Sequence, residues 1–203
     1  KIHLIFQHDV DNCPDRTMDL LKVQEECAVQ SNVMIFNNKI DRKHLKKTGE
    51  AIPSDYPIDH PRLVELETKG FVIGYHSNAY EQAEFDRNSA EKLFIQDVEE
   101  LQSKHSIQFF CPHGGNRDIN GESNASLDFP ESLRQSLRWV LNKHTIRLDG
   151  RYSDGGIRGA RRNPEERDLR QHVLSWKPGK RYRILIHPQY YGTTYKKSPK
   201  LTQ

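Results

Sequence analysis

Ile5-Phe6-Gln7-His8-Asp9-Val10-Asp11 is the stretch from which the rest of the chain is read. An apolar run from Ile2 to Phe6 leads directly into two carboxylates one residue apart. On a strand, positions i and i+2 point to the same side, so Asp9 and Asp11 converge beyond the strand end. Adjacent carboxylates repel unless a cation or a retained proton compensates them. Pro14 then stops the extended segment. The C-terminal end of a buried parallel strand is where α/β sheets and barrels place their chemistry. An alternative role for the same two residues is to cap the next helix.

Working outward, strands are expected at 2–8, 33–36, 71–76 and 107–111, in a glycine-broken run from Arg151 to Gly156, and at 183–188. Helical spacing of apolar residues predicts helices over 15–30, 61–69, 89–105, 131–141 and 165–176. Ser89 is the expected N-cap of the third, and Gly70 the C-cap of the second. Residues 39–57 read as an inserted polar loop, 116–130 as a long loop, and 192–203 as a basic tail. Asn124-Ala125-Ser126 has the form of a glycosylation acceptor, a pattern that also arises by chance. Alternating strands and helices call for a parallel sheet with helices outside, open or closed into an incomplete barrel. A length of 203 residues suits one domain spanning 1–203.

Composition sets bounds on partners. No run approaches the roughly 18 apolar residues of a membrane span. Cys13, Cys27 and Cys111 are odd in number and scattered, which points to a reducing, cytoplasmic setting rather than a disulfide framework. The chain opens at Lys1 with a strand under way, so a preceding segment is expected. Net charge is +3, but residues 151–203 hold 13 Lys/Arg against 4 Asp/Glu, while residues 1–150 hold 18 against 24. This asymmetry predicts an anionic ligand near the C-terminal quarter. The basic residues follow no nucleic-acid-binding motif, so nucleic acid is not an expected partner.

Four of the ten histidines fall where an expected strand ends: His8, His76, His113 and His187. In a parallel sheet these ends share one face. Aspartate and histidine side chains converging there form a divalent-metal site of the N/O type, suited to zinc and compatible with iron, cobalt, nickel or manganese.

In order and spacing these segments resemble the polysaccharide deacetylase family, the NodB-homology domain of carbohydrate esterases, over nearly the whole chain. His8-Asp9-Val10-Asp11 is similar to its first motif and Gly74-Tyr75-His76-Ser77 to its second. Cys111-Pro112-His113-Gly114-Gly115 stands where the third lies. Tyr152-Ser153-Asp154-Gly155-Gly156 and Leu185-Ile186-His187-Pro188 resemble the fourth and fifth. More narrowly, the chain is similar to a bacterial subgroup with this opening and a His-Pro ending, linked to surface-glycan (lipopolysaccharide) biosynthesis. The implied fold is a distorted, incomplete (β/α) barrel with its site at the C-terminal strand ends.

The resemblance also implies roles. One aspartate of the first motif is a general base and the other a metal ligand; here Asp9 is taken as the base and Asp11 as the ligand, together with His76. The family's second motif supplies another histidine where this chain has Tyr80, and its third an arginine where His113 and Gly114 stand. The third ligand is therefore His113, Tyr80 or a water, with His113 the candidate. The implied reaction removes an N-acetyl (or O-acetyl) group from a sugar, and in the N-acetyl case His187 would protonate the leaving amine. Asp154 would fix the tautomer of His187, orient an arginine, or only build the glycine turn. Arg158, with Arg161 and Arg162, would read an anionic group on the sugar or form a solvated loop. Asp154, Arg158 and Tyr80 thus stand on the substrate side. Two other readings remain: a carbohydrate-binding protein using Trp176, Tyr190 and Tyr191, or a hydrolase of another ester or amide.

Overall fold

The computed structural model describes residues 1–41, 44, 47–48, 52–139, 146–154 and 169–190. Seven strands form one sheet: β1 His3–Val10, β2 Asn32–Ile35, β3 Val72–Ser77, β4 Phe109–Pro112, β5 Arg138–Trp139, β6 Gly150–Ser153 and β7 Arg181–Ile186. Their order is β5-β4-β3-β2-β1-β7-β6, and every neighbouring pair is parallel. Among the described residues the helical elements are α1 Pro14–Glu26, α2 His60–Thr68, the single turn α3 Ala79–Gln82, α4 Arg87–Gln102 and α5 Leu169–Leu174. No ladder joins β5 to β6 among the described residues, so the architecture is the expected incomplete (β/α) barrel.

Residue alternation along the strands sorts the two faces. Val10, Val33, Ile35, Ile73, Tyr75 and Phe110 pack with Leu21 of α1, Leu63 and Leu66 of α2, and Phe94, Val98 and Leu101 of α4. A smaller cluster joins Tyr152, Ile184 and Ile186 to Leu169 and Trp176. Burial on both faces explains why these strands read as short, nearly continuous apolar runs. The residues between them (Gln7, Asp9, Met34, His76, Cys111, Arg183) turn to the opposite face. That face carries the polar groups.

Local chemistry fixes the helix ends. Asp59 caps α2, its side chain accepting from Arg62 N at 3.0 Å. Gly70 follows α2 at φ 90°, a left-handed conformation that favours glycine. The N-cap of α4 is Asp86, accepting from Ser89 N at 2.8 Å, and not Ser89 as expected. Of the helix expected over 131–141, the described residues 131–139 form none: a 3-10 turn, Glu131–Leu133, leads into β5. Leu133 and Leu137 are both buried, which reproduces helical spacing, but Arg138 N donates to Gln108 O at 2.9 Å and extends the sheet instead. The two ends of the inserted segment pair, with Asp41 N donating to Ile52 O (2.9 Å) and Ser54 N to Lys39 O (2.7 Å). Tyr191, Arg158, Arg161, Arg162 and the 192–203 tail lie outside the described residues. Among those described, no helix is long and apolar enough to cross a membrane.

Candidate metal centre

Parallel register puts the functional side chains at one end of the sheet. Asp9 lies beside Met34 on β2, His76 beside Cys111 on β4, and Gln7 beside Leu185 on β7. Asp11 follows β1, His113 follows β4 and His187 follows β7. His76 Nε2 lies 3.0 Å from Asp11 Oδ1, His113 Nε2 3.7 Å from the same oxygen, and His187 Nε2 3.9 Å from Asp11 Oδ2. Asp9 Oδ2 is 3.9 Å from His76 Nε2.

His8 does not join them. It sits on the helix-facing side, its Nε2 3.0 Å from Gln24 Oε1 of α1, and burial lowers its pKa. The i, i+2 rule that unites Asp9 with Asp11 also turns His8 away.

Two overlapping groups of potential ligands arise among the described residues, Asp11/His76/His113 and Asp9/His76/Cys111, each with ligand atoms within 4.8 Å of one another. The first fits a divalent ion better. Nδ1 of His76 lies 3.0 Å from the carbonyl of Cys111, an acceptor that holds the ring proton there. Nε2 is hydrogen-bonded to Asp11 Oδ1 at 3.0 Å, and a cation that displaced the proton between them would be held by both. In the second group, the amide of Gln7 already donates to Asp9 Oδ1 (2.5 Å) and to Cys111 Sγ (3.7 Å).

Electrostatics show the same convergence. Burial opposes the charged Asp11, but the hydrogen bond with His76 and the charges of His76, His113 and His187 outweigh it and bring its pKa to about 2. Burial likewise opposes the His76 imidazolium, yet Asp9 and Asp11 push its pKa well up. Phe36 orients both rings, stacking on His76 (centroids 5.1 Å) and meeting His113 edge-on (5.2 Å).

Asp154 is buried and grips His187 twice. It accepts from His187 N (2.6 Å, Oδ2) and pairs with Nδ1 (2.5 Å, Oδ1). Nε2 is thereby left facing Asp11. Burial works against the His187 imidazolium, and the bond to Asp154 and its charge reverse that and raise the pKa. Gln189 Nε2 approaches Asp11 Oδ2 at 3.4 Å. The hydroxyl of Tyr80 is committed to Glu122, and Tyr80 belongs to neither ligand group.

A cavity of about 190 Å³ opens beside the centre, lined by Asp11, Phe36, Lys39, Asn78, Glu81 and His113 among others. Lys39 Nζ donates to Asp11 O (2.8 Å) and to Asn12 Oδ1. Phe36, Gln7, Lys39 and Glu81 are site residues that no motif marked. Strand alternation is the one signal that could have placed Gln7 and Phe36 on this face. Asn124, the formal glycosylation position, is buried and clamped, its Oδ1 accepting from Glu81 N and its Nδ2 donating to His113 O.

No protein-family model matches the chain, and no curated protein does. Among solved structures, it is similar to a family 4 carbohydrate esterase from Bacillus anthracis (14% identity, 90% of this chain and 66% of that one, TM-score 0.45). It is also similar to a family 4 acetyl xylan esterase from Clostridium thermocellum in complex with a cobalt ion (14%, 93% and 74%, TM-score 0.43). A CE4 family pseudoenzyme from Bacillus anthracis is similar too (10%, 92% and 54%, TM-score 0.43), so the chain spans little more than half of that protein's length. Likeness at this level fixes neither reaction nor substrate.

Proposed function

We propose that residues 1–203 form one domain of the polysaccharide deacetylase kind, a metal-dependent hydrolase that removes an acetyl group from an acetylated sugar. The observation that carries this reading is the Asp11/His76/His113 group with two further proton-carrying side chains, Asp9 and His187, within 3.9 Å of its members. Asp11, His76 and His113 would hold the ion. Zinc suits an Asp/His/His set with an open fourth position. A divalent ion held there supplies a Lewis acid for an acetyl carbonyl and acidifies a water.

The remaining steps belong to the chain's own side chains. Asp9 accepts the proton of the attacking water on Oδ2, because Gln7 occupies Oδ1. His187 delivers a proton from Nε2 to the departing sugar amine, and Asp154 holds the ring in place on Nδ1. An acidic sugar of a bacterial surface glycan is the substrate class favoured by the basic C-terminal quarter, and Lys39 stands at the cavity wall where such a group would lie.

The test is acetate release by zinc-reconstituted protein from N-acetylated amino sugars with and without a carboxylate substituent. Zinc-dependent release, faster with the carboxylate, is expected. A protein that binds zinc and stacks on sugars, yet releases no acetate from any of them, would move the reading to a binding protein.

A further inference from the structure

His113 has an unmet requirement. Its Nδ1 is enclosed and has no hydrogen-bond partner. An imidazole that offers Nε2 to a cation keeps its proton on Nδ1, and a buried N–H needs an acceptor. Glu81 Oε2 lies 3.6 Å from that nitrogen, just outside hydrogen-bond range.

We propose that Glu81 is the positioning residue for His113: its carboxylate receives the Nδ1 proton and turns the Nε2 lone pair toward the ion. This rests on the metal-centre reading above. Glu81 itself belongs to neither group of potential ligands, so it acts through His113.

Three features hold the two side chains together. Glu81 is buried on the single-turn α3, its Oε1 accepts from Asn116 N at 3.0 Å, and its Oε2 is the oxygen that lies 3.6 Å from the ring nitrogen. Asn124 ties both backbones at once, accepting from Glu81 N (3.0 Å) and donating to His113 O (3.2 Å). Gly115 leaves the gap open, because a Cβ there would overlap Glu81 Oε2 and lie 2.9 Å from His113 Nδ1. The neighbouring Tyr80 turns its hydroxyl to Glu122, so α3 serves this site through Glu81.

Glu81→Gln inverts the contact. With the amide oxygen kept on Asn116 N, an NH₂ group faces Nδ1 and favours the wrong tautomer. Gly115→Ala displaces the carboxylate and also presses on the His113 ring, so its loss of affinity is read beside that of Glu81→Gln.

The experiment measures Zn²⁺ affinity by competition with a chromogenic chelator for the wild type, Glu81→Gln, Gly115→Ala, His113→Ala and the Glu81→Gln/His113→Ala double variant. Melting curves confirm that each is folded. Both single variants at the Glu81 contact should bind zinc about 10–100-fold more weakly. In the His113→Ala background, Glu81→Gln should add nothing, and the ¹⁵N shift of His113 should report loss of the Nδ1–H form in Glu81→Gln. Wild-type affinity in both single variants, or fully additive losses in the double variant, would overturn the role of Glu81 while leaving the metal centre standing. A wild type that binds no zinc would overturn both.

Discussion

Replacing Asp154 by asparagine isolates the proton donor without touching the ligand group. Asp154 has no freedom to adapt: one oxygen accepts from His187 N at 2.6 Å and the other pairs with Nδ1 at 2.5 Å. An asparagine must keep its oxygen on the backbone N–H, because the reverse would set two donors face to face. Its NH₂ then meets Nδ1, which can no longer carry a proton there. Burial alone lowers the His187 pKa, and the pairing with Asp154 raises it above its ordinary value. The sign follows: a raised pKa keeps the imidazolium available below it, and donation fails as pH climbs through it. A hydrogen bond to a charged group contributes about 1.5–3 kcal/mol. At 1.36 kcal/mol per unit, the alkaline limb of kcat/KM should move to lower pH by about one to two units. Above both limbs, Asp154→Asn should be about 10–100-fold slower, with zinc content unchanged. The assay is the pH profile of acetate release. An alkaline limb at the same pH in both proteins would refute His187 as the donor held by Asp154.

Other outcomes follow from the same geometry. Asp11→Ala and His76→Ala should abolish stoichiometric zinc binding by mass spectrometry, whereas Asp9→Asn should retain the ion and lose acetate release by roughly 10²–10⁴-fold. Tyr80→Phe should leave zinc affinity unchanged, because its hydroxyl serves Glu122, and should lower stability by about 0.5–1.5 kcal/mol in urea unfolding. Asp97→Ala strips the buried Tyr75 hydroxyl of its 2.5 Å acceptor and leaves Asn37 Nδ2 with Glu100 in place of its two acceptors, for a loss of about 1–3 kcal/mol. At roughly 2–4 °C per kcal/mol for a chain of this size, the loss is readable in a melting curve. Gly74→Ala would set a Cβ 2.5 Å from Met34 Sδ and 3.0 Å from Phe109 O, two residues before His76; about 1–3 kcal/mol of overpacking should appear as a lower melting temperature.

The strand ends were legible because a buried parallel strand is a short apolar run, and polar residues at its end stand out. Asp9, Asp11, His76, His113 and His187 were singled out that way, and the structure brings their side chains together. His8 was misplaced beside them, although strict alternation assigns it to the helices. β5 was hidden because Leu133 and Leu137 carry helical spacing, while a 3-10 turn and two extended residues bury both equally well. Glu81 and Asn124 left no signal. One lies on a four-residue helix too short for periodicity, the other in a polar loop, and both matter only through residues distant in sequence. Gln7 and Phe36 lie between the two cases, since alternation could have assigned them a face, but nothing in the sequence said what they would meet there.

The most direct measurement is a crystal structure of zinc-loaded protein with anomalous scattering recorded at the zinc edge. One ion is predicted, bound by an Asp11 oxygen, His76 Nε2 and His113 Nε2 at about 2.0–2.2 Å. Zinc held instead by Asp9, His76 and Cys111, or no ion at the strand ends at all, would contradict the account.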